Sequence, residues 1–170
     1  MLGLTPLGVL HTAVSVVAVI SGFWALARDK EVSVANTLGR TYLVATLVTA
    51  VTGLGIFQHG GFGPPHVLSV LTLLALAVGT AAAFTGIFGG LSRYLQAVAY
   101  SATVLFHMVP GFTETLTRLP PSKPWLPNAE APEFGPIYGT LLVLFVVGIV
   151  LQLWWLRGQL NTAPGHPAEA

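Results

Sequence analysis

The stretch that decides the fold is LSRYLQAVAYSATVLFHMVPGFTE, Leu91 to Glu114. It is apolar enough to cross a bilayer, yet one side is polar from end to end. Arg93, Gln96, Tyr100, Thr103, His107, Pro110 and Glu114 follow one another at alternating steps of three and four. That rhythm puts them on a single helical face. From Arg93 to Glu114 a helix rises roughly 31 Å, about one hydrocarbon thickness. Polar groups in hydrocarbon need partners, so this face is expected to look into a helix bundle rather than at lipid.

The rest of the chain agrees with that reading. Of 170 residues, 54% are hydrophobic and 8% charged, against about 25% charged in soluble domains. The mean hydropathy is +0.76. Too few charges remain to solvate a globular surface of this size, and the bilayer is expected to be the solvent for most of it. The net charge of +1 gives no case for nucleic acid. Cysteine is absent, which excludes disulfides, thiolate metal sites, iron–sulfur ligation and covalent c-type haem attachment. Any metal would rest on His, carboxylate, Tyr or Met.

Working outward, the predicted fold is an all-α integral membrane protein: a four-helix antiparallel bundle with a fifth helix on its flank, all in one domain over residues 1–170. Span one is expected over 4–27, as a retained crossing, since no positive segment precedes it. Gly8, His11, Ser15, Ala18, Gly22 and Ala25 share one face of it, small enough for a neighbouring backbone to approach. Span two is expected over 41–57, rich in threonine, read as helix packing. Span three is expected over 66–88 and span four over 91–112, with Pro110 either kinking or ending it. A Pro-rich outer loop is expected over 113–135, span five over 136–156 with lipid on most sides, and a polar tail over 158–170.

Basic residues set the expected orientation. Arg28, Lys30, Arg40, Arg93 and Arg157 fall on one side, Arg118 and Lys123 on the other. By the positive-inside rule the richer side is cytoplasmic, with the amino terminus outside and the carboxyl terminus inside a bacterial inner membrane. This topology gathers His11, His59, His66 and His107 in one outer layer, whereas His166 lies in the tail. Ionisable side chains within spans are costly and read as functional by default. Imidazole is the commonest protein metal ligand. Two histidines on different helices can hold haem iron; three with a carboxylate can hold zinc, copper or iron. His11, His66 and His107 are the candidate ligands, with Glu114 or His59 as a fourth ligand or an orienting group. Histidines in membranes also bond to threonines and carbonyls across helices with no cofactor at all.

His11, LGRTY at Leu38 to Tyr42, HVLSVLTL at His66 to Leu73 and FHMVPGFTETLTRLP at Phe106 to Pro120 give the chain a resemblance to a bacterial family of predicted multi-span membrane proteins of unknown function. That family looks like a distant relative of small four-helix membrane cytochromes of the b561 kind. The resemblance implies a bundle with outer-side histidines.

Two functional expectations follow. The first is a membrane redox protein that binds haem b or a transition-metal ion and passes electrons near the outer face to a partner protein. His11 and His107 would then be the axial pair, with Arg118 or Lys123 near haem propionates. The second is a non-redox module without a cofactor, handling a small solute or protons along Arg93, Gln96, Tyr100 and Thr103, or serving as a structural subunit.

Overall fold

The computed structural model describes residues 5–57 and 61–162. Among these there are five α-helices and no strand: α1 Pro6–Asp29, α2 Thr37–Gly53, α3 Pro64–Phe84, α4 Ser92–Arg118 and α5 Phe134–Thr162, with one 3₁₀ turn, Gly89–Leu91, before α4. Four stretches, containing α1, α3, α4 and α5, are long and apolar enough to cross a membrane. The fourth includes the 3₁₀ turn. At 17 residues, α2 is the shortest of the five.

Local sequence sets the helix ends. Thr5 caps α1 by accepting a hydrogen bond from the Gly8 N–H at 3.1 Å, and Pro6 occupies the first turn, where its missing N–H costs nothing. The helix stops at Lys30, which takes a left-handed conformation, φ 63°. Asn36 caps α2 by accepting the Gly39 N–H at 2.8 Å, so this helix starts four residues before the expected span and ends at Gly53 rather than residue 57. Gly39 is required there, since a Cβ would run into the Ser33 carbonyl. His66 caps α3: its Nδ1 accepts the Gly63 N–H at 3.2 Å.

Pro110 neither ends α4 nor opens the loop expected from 113. The helix runs on to Arg118. Thr113 and Thr117 donate to the Val109 and Thr113 carbonyls at 2.8 and 2.7 Å, and Glu114 pairs with Arg118 one turn on. The loop that follows folds back on this end, its Trp125 and Leu126 N–H groups reaching the Leu119 and Leu116 carbonyls. Helix α5 likewise exceeds its expected span at both ends.

In the bundle α1 packs on α2, α2 on α3, α3 on α4, and α4 on both α1 and α5. The core is built from two tyrosines against glycines. Tyr42 and Tyr100 are fully buried. A Cβ at Gly22 would sit 2.6 Å from the Tyr42 ring, and one at Gly79 would meet the Tyr100 ring. The small faces of α1 and α3 thus receive aromatic rings rather than merely a close backbone, a large-into-small fit that fixes how the helices mate. Tyr138 and Gln152 tie down the flank helix, the Tyr138 hydroxyl lying 2.7 Å from Thr113 Oγ1 of α4. Buried Gln152 accepts from Ser101 Oγ at 2.9 Å and donates to the Lys30 carbonyl at 2.7 Å. Otherwise α5 leaves Leu142, Val143, Leu144, Val150 and Trp154 exposed.

Candidate functional site

The middle of the polar face of α4, from Tyr100 to His107, turns into the bundle and finds partners on other helices. Tyr100 Oη lies 3.2 Å from Thr80 Oγ1 of α3. Thr103, fully buried, lies 2.5 Å from the Tyr42 hydroxyl of α2. His107 Nε2 lies 3.1 Å from Thr46 Oγ1 of α2, with the Tyr42 ring edge-on to the imidazole at a centroid distance of 6.2 Å. Toward one end Arg93 pairs with Glu31 at 2.6 Å and Gln96 lines a cleft. Toward the other, exposed Glu114 pairs with Arg118. His11 of α1 places Nδ1 3.1 Å from Thr52 Oγ1 of α2. It lies within electrostatic reach of His107 and of Glu114.

A hydroxyl has one proton to give, and that constraint assigns the order of donors. Thr103 donates to the Tyr100 carbonyl at 2.6 Å, so the Tyr42 hydroxyl donates to Thr103. Thr46, one turn further along α2, lies beside the same Tyr42 oxygen, and with the Tyr42 proton committed that oxygen can only accept from it. Where Thr46 gives its proton to Tyr42, His107 Nε2 donates to Thr46, an order that leaves the Nδ1 lone pair of His107 uncommitted in that chain. The same reasoning fixes His11. Thr52 donates to the Val48 carbonyl at 2.7 Å, so His11 Nδ1 donates to Thr52 and Nε2 keeps its lone pair. The chain running from His107 through Thr46, Tyr42 and Thr103 ends on a backbone carbonyl, which holds a hydrogen bond but passes no proton on.

His66 has a different setting. Its ring is 4% exposed and lies between Phe57 and Phe62, with centroids at 4.6 and 5.2 Å. Nδ1 accepts the cap bond, and Nε2 is buried with no hydrogen-bond partner among the described residues. His59 lies outside the described residues, as does His166. Among the described residues no group of three or more His, Asp or Glu side chains comes close enough together to hold a metal ion. The donor set for iron is mixed. His11 offers Nε2 with its other nitrogen anchored, the usual state of a ligating imidazole; His107 has Nε2 committed to Thr46.

Thr46 and Thr52 are site residues that the sequence reading treated as packing, and Tyr42 entered that reading only as the end of LGRTY. Their signal was present in outline: Tyr42, Thr46, Thr49 and Gly53 recur at steps of four, three and four and share a face of α2. Glu31 and Gln152 lay outside every pattern that was read. Compared with protein-family models, with curated proteins and with solved structures, the chain finds no match.

Proposed function

We propose that this chain is an integral membrane protein whose first four helices form an antiparallel bundle, with the amino terminus outside and the carboxyl terminus cytoplasmic, and that the His11–His107 pair is a proton-binding centre near the outer face, serving a non-redox module that couples proton uptake to a small solute. One observation carries the reading. Two imidazoles from separate helices lie within electrostatic reach of each other, each with one nitrogen anchored to a threonine of α2 and a lone pair on the other. Within such a pair the first proton opposes the second, because two cations at that separation repel. Glu114, exposed beside Arg118 and within reach of His11, lies between the pair and the aqueous side. Inward, the hydroxyl chain ends at the Tyr100 carbonyl, which favours holding a proton over conducting it across.

The test is a proton titration of the detergent-purified protein against His11→Ala and His107→Ala. Loss of one titrating proton, in each variant, is the expected result. Identical curves for all three proteins would refute the centre.

A second reading is favoured by the tautomer of His11. An imidazole with Nδ1–H held by Thr52 and Nε2 bearing the lone pair suits haem b or a transition-metal ion, and the module would then be redox, with a partner protein. His107 would have to exchange Thr46 for the metal. An absorption spectrum with a Soret band, or stoichiometric zinc, copper or iron by elemental analysis, would favour this reading. A colourless, metal-free protein expressed with both supplied would exclude it.

A further inference from the structure

At the opposite end of the bundle from the histidine pair, the α1–α2 turn and the start of α4 enclose a half-open cleft of about 300 Å³, lined by Asp29, Glu31, Asn36, Arg93 and Gln96 among others. Its hydrogen-bonding capacity is unevenly used. Asp29 is satisfied: Arg28 reaches both its oxygens at 2.8 Å and Asn36 adds a third bond at 3.2 Å. Glu31 is not. It is only 8% exposed; its Oε1 takes the Arg93 bond at 2.6 Å, while its Oε2 is buried with no hydrogen-bond partner. A buried carboxylate oxygen left dry is costly, and each such atom in a native fold calls for a missing donor. Gln96, half-buried, has no hydrogen-bond partner for its amide among the described residues. Arg93 spends one of its five N–H groups on Glu31, and its side chain is 47% exposed.

The buried unmet need in this cleft is a donor for Glu31 Oε2, and on the same cleft Arg93 and Gln96 keep N–H groups open to an oxyanion. The geometry points to a binding site for a primary ammonium joined by a short linker to a phosphate, the chemistry of an ethanolamine phosphate group. The volume, at the low end for ligand pockets, admits a group of that size. The cleft lies where α1 ends and α4 begins, the level at which helices of this length meet lipid headgroups. The same chemistry is carried by a phosphatidylethanolamine headgroup and by the free molecule. A choline phosphate group is the discriminating control, since its trimethylated nitrogen has no N–H to offer Glu31.

The experiment is thermal unfolding of the full chain, followed by tryptophan fluorescence. In detergent it is run with ethanolamine phosphate, choline phosphate or inorganic phosphate; in nanodiscs, with phosphatidylethanolamine or phosphatidylcholine. A rise in Tm with ethanolamine phosphate identifies the free molecule as sufficient. A rise only in phosphatidylethanolamine nanodiscs identifies the lipid. Either supports the site if the choline counterpart gives none. Equal shifts with choline and ethanolamine forms, or no shift with any, overturn the proposal. Glu31→Gln should weaken the apparent affinity about tenfold, the worth of one charge-assisted hydrogen bond. Should that variant fail to fold, Gln96→Ala keeps the Arg93–Glu31 pair and should weaken binding several-fold; unchanged binding in it would equally overturn the proposal.

Discussion

Replacing Tyr42 with Phe removes a single oxygen from the hydroxyl sequence that fixes His107. The ring still fills the space against Gly22, so packing is preserved. Thr103 keeps its own bond to the Tyr100 carbonyl at 2.6 Å and merely loses a donor. Thr46 loses its acceptor, and its proton turns to the nearest alternative, His107 Nε2 at 3.1 Å. His107 then holds its proton on Nδ1, the opposite tautomer from the parent protein. The stability cost is small. Interhelical hydrogen bonds in membranes average about 0.6 kcal/mol and reach about 1.7 kcal/mol. Tyr42→Phe loses one such contact, to Thr103, and the proximity of its hydroxyl to Thr46 within α2, so about 1 kcal/mol is expected. The tautomer change, by contrast, is complete. It is read by long-range proton–nitrogen correlation spectra of protein labelled with nitrogen-15 at histidine, with His107→Ala to assign the signal. Parent protein protonated at Nε2 and variant protonated at Nδ1 is the expected pair of spectra. A parent already protonated at Nδ1, or a variant still protonated at Nε2, refutes the order of donors and with it the assignment of the His107 lone pair.

Three further perturbations probe the frame around the site. Gly79→Ala drives a Cβ into the Tyr100 ring; overpacking of this kind costs about 1–3 kcal/mol, and Tyr100→Leu in the same chain should recover part of the loss in a detergent unfolding assay. Gln152→Leu and Ser101→Ala each break the Gln152 tether of α5, at about 1 kcal/mol apiece. Because Ser101 bonds to Gln152, the double variant should cost less than the sum of the two, and strict additivity would show that the tether is not a unit. Asn36→Ala removes both the cap on Gly39 and the bond to Asp29. A loss of about 1 kcal/mol is expected from the cap, with faster amide hydrogen exchange confined to the first turn of α2 as the local signature.

How far the sequence reached can be judged on α4. The steps of three and four from Arg93 to Glu114 gave its inward face, because a helix repeats every 3.6 residues whatever surrounds it. The run length gave a helix long and apolar enough to cross a membrane, though not its end at Arg118. The same steps did not reveal that it continues past Pro110, since a proline forfeits one backbone bond and the threonine and Glu114–Arg118 contacts on the next turns decide whether the helix survives that loss. The glycine and alanine faces of α1 and α3 were legible as contact faces, yet which of them takes a tyrosine ring was not.

What residue order determined by itself was therefore one-dimensional: apolar length, helical period, and histidines assigned to particular helices. The tertiary structure decided pairing. It brought His11 and His107 to threonines of a third helix, set His66 apart between Phe57 and Phe62, joined Gln152 to Lys30 across 122 positions, and left one oxygen of Glu31 dry. Those outcomes depend on distances between segments far apart in the chain, and no local period encodes them. A threonine reads the same in sequence whether its hydroxyl bonds to its own helix or sets the tautomer of a histidine on another.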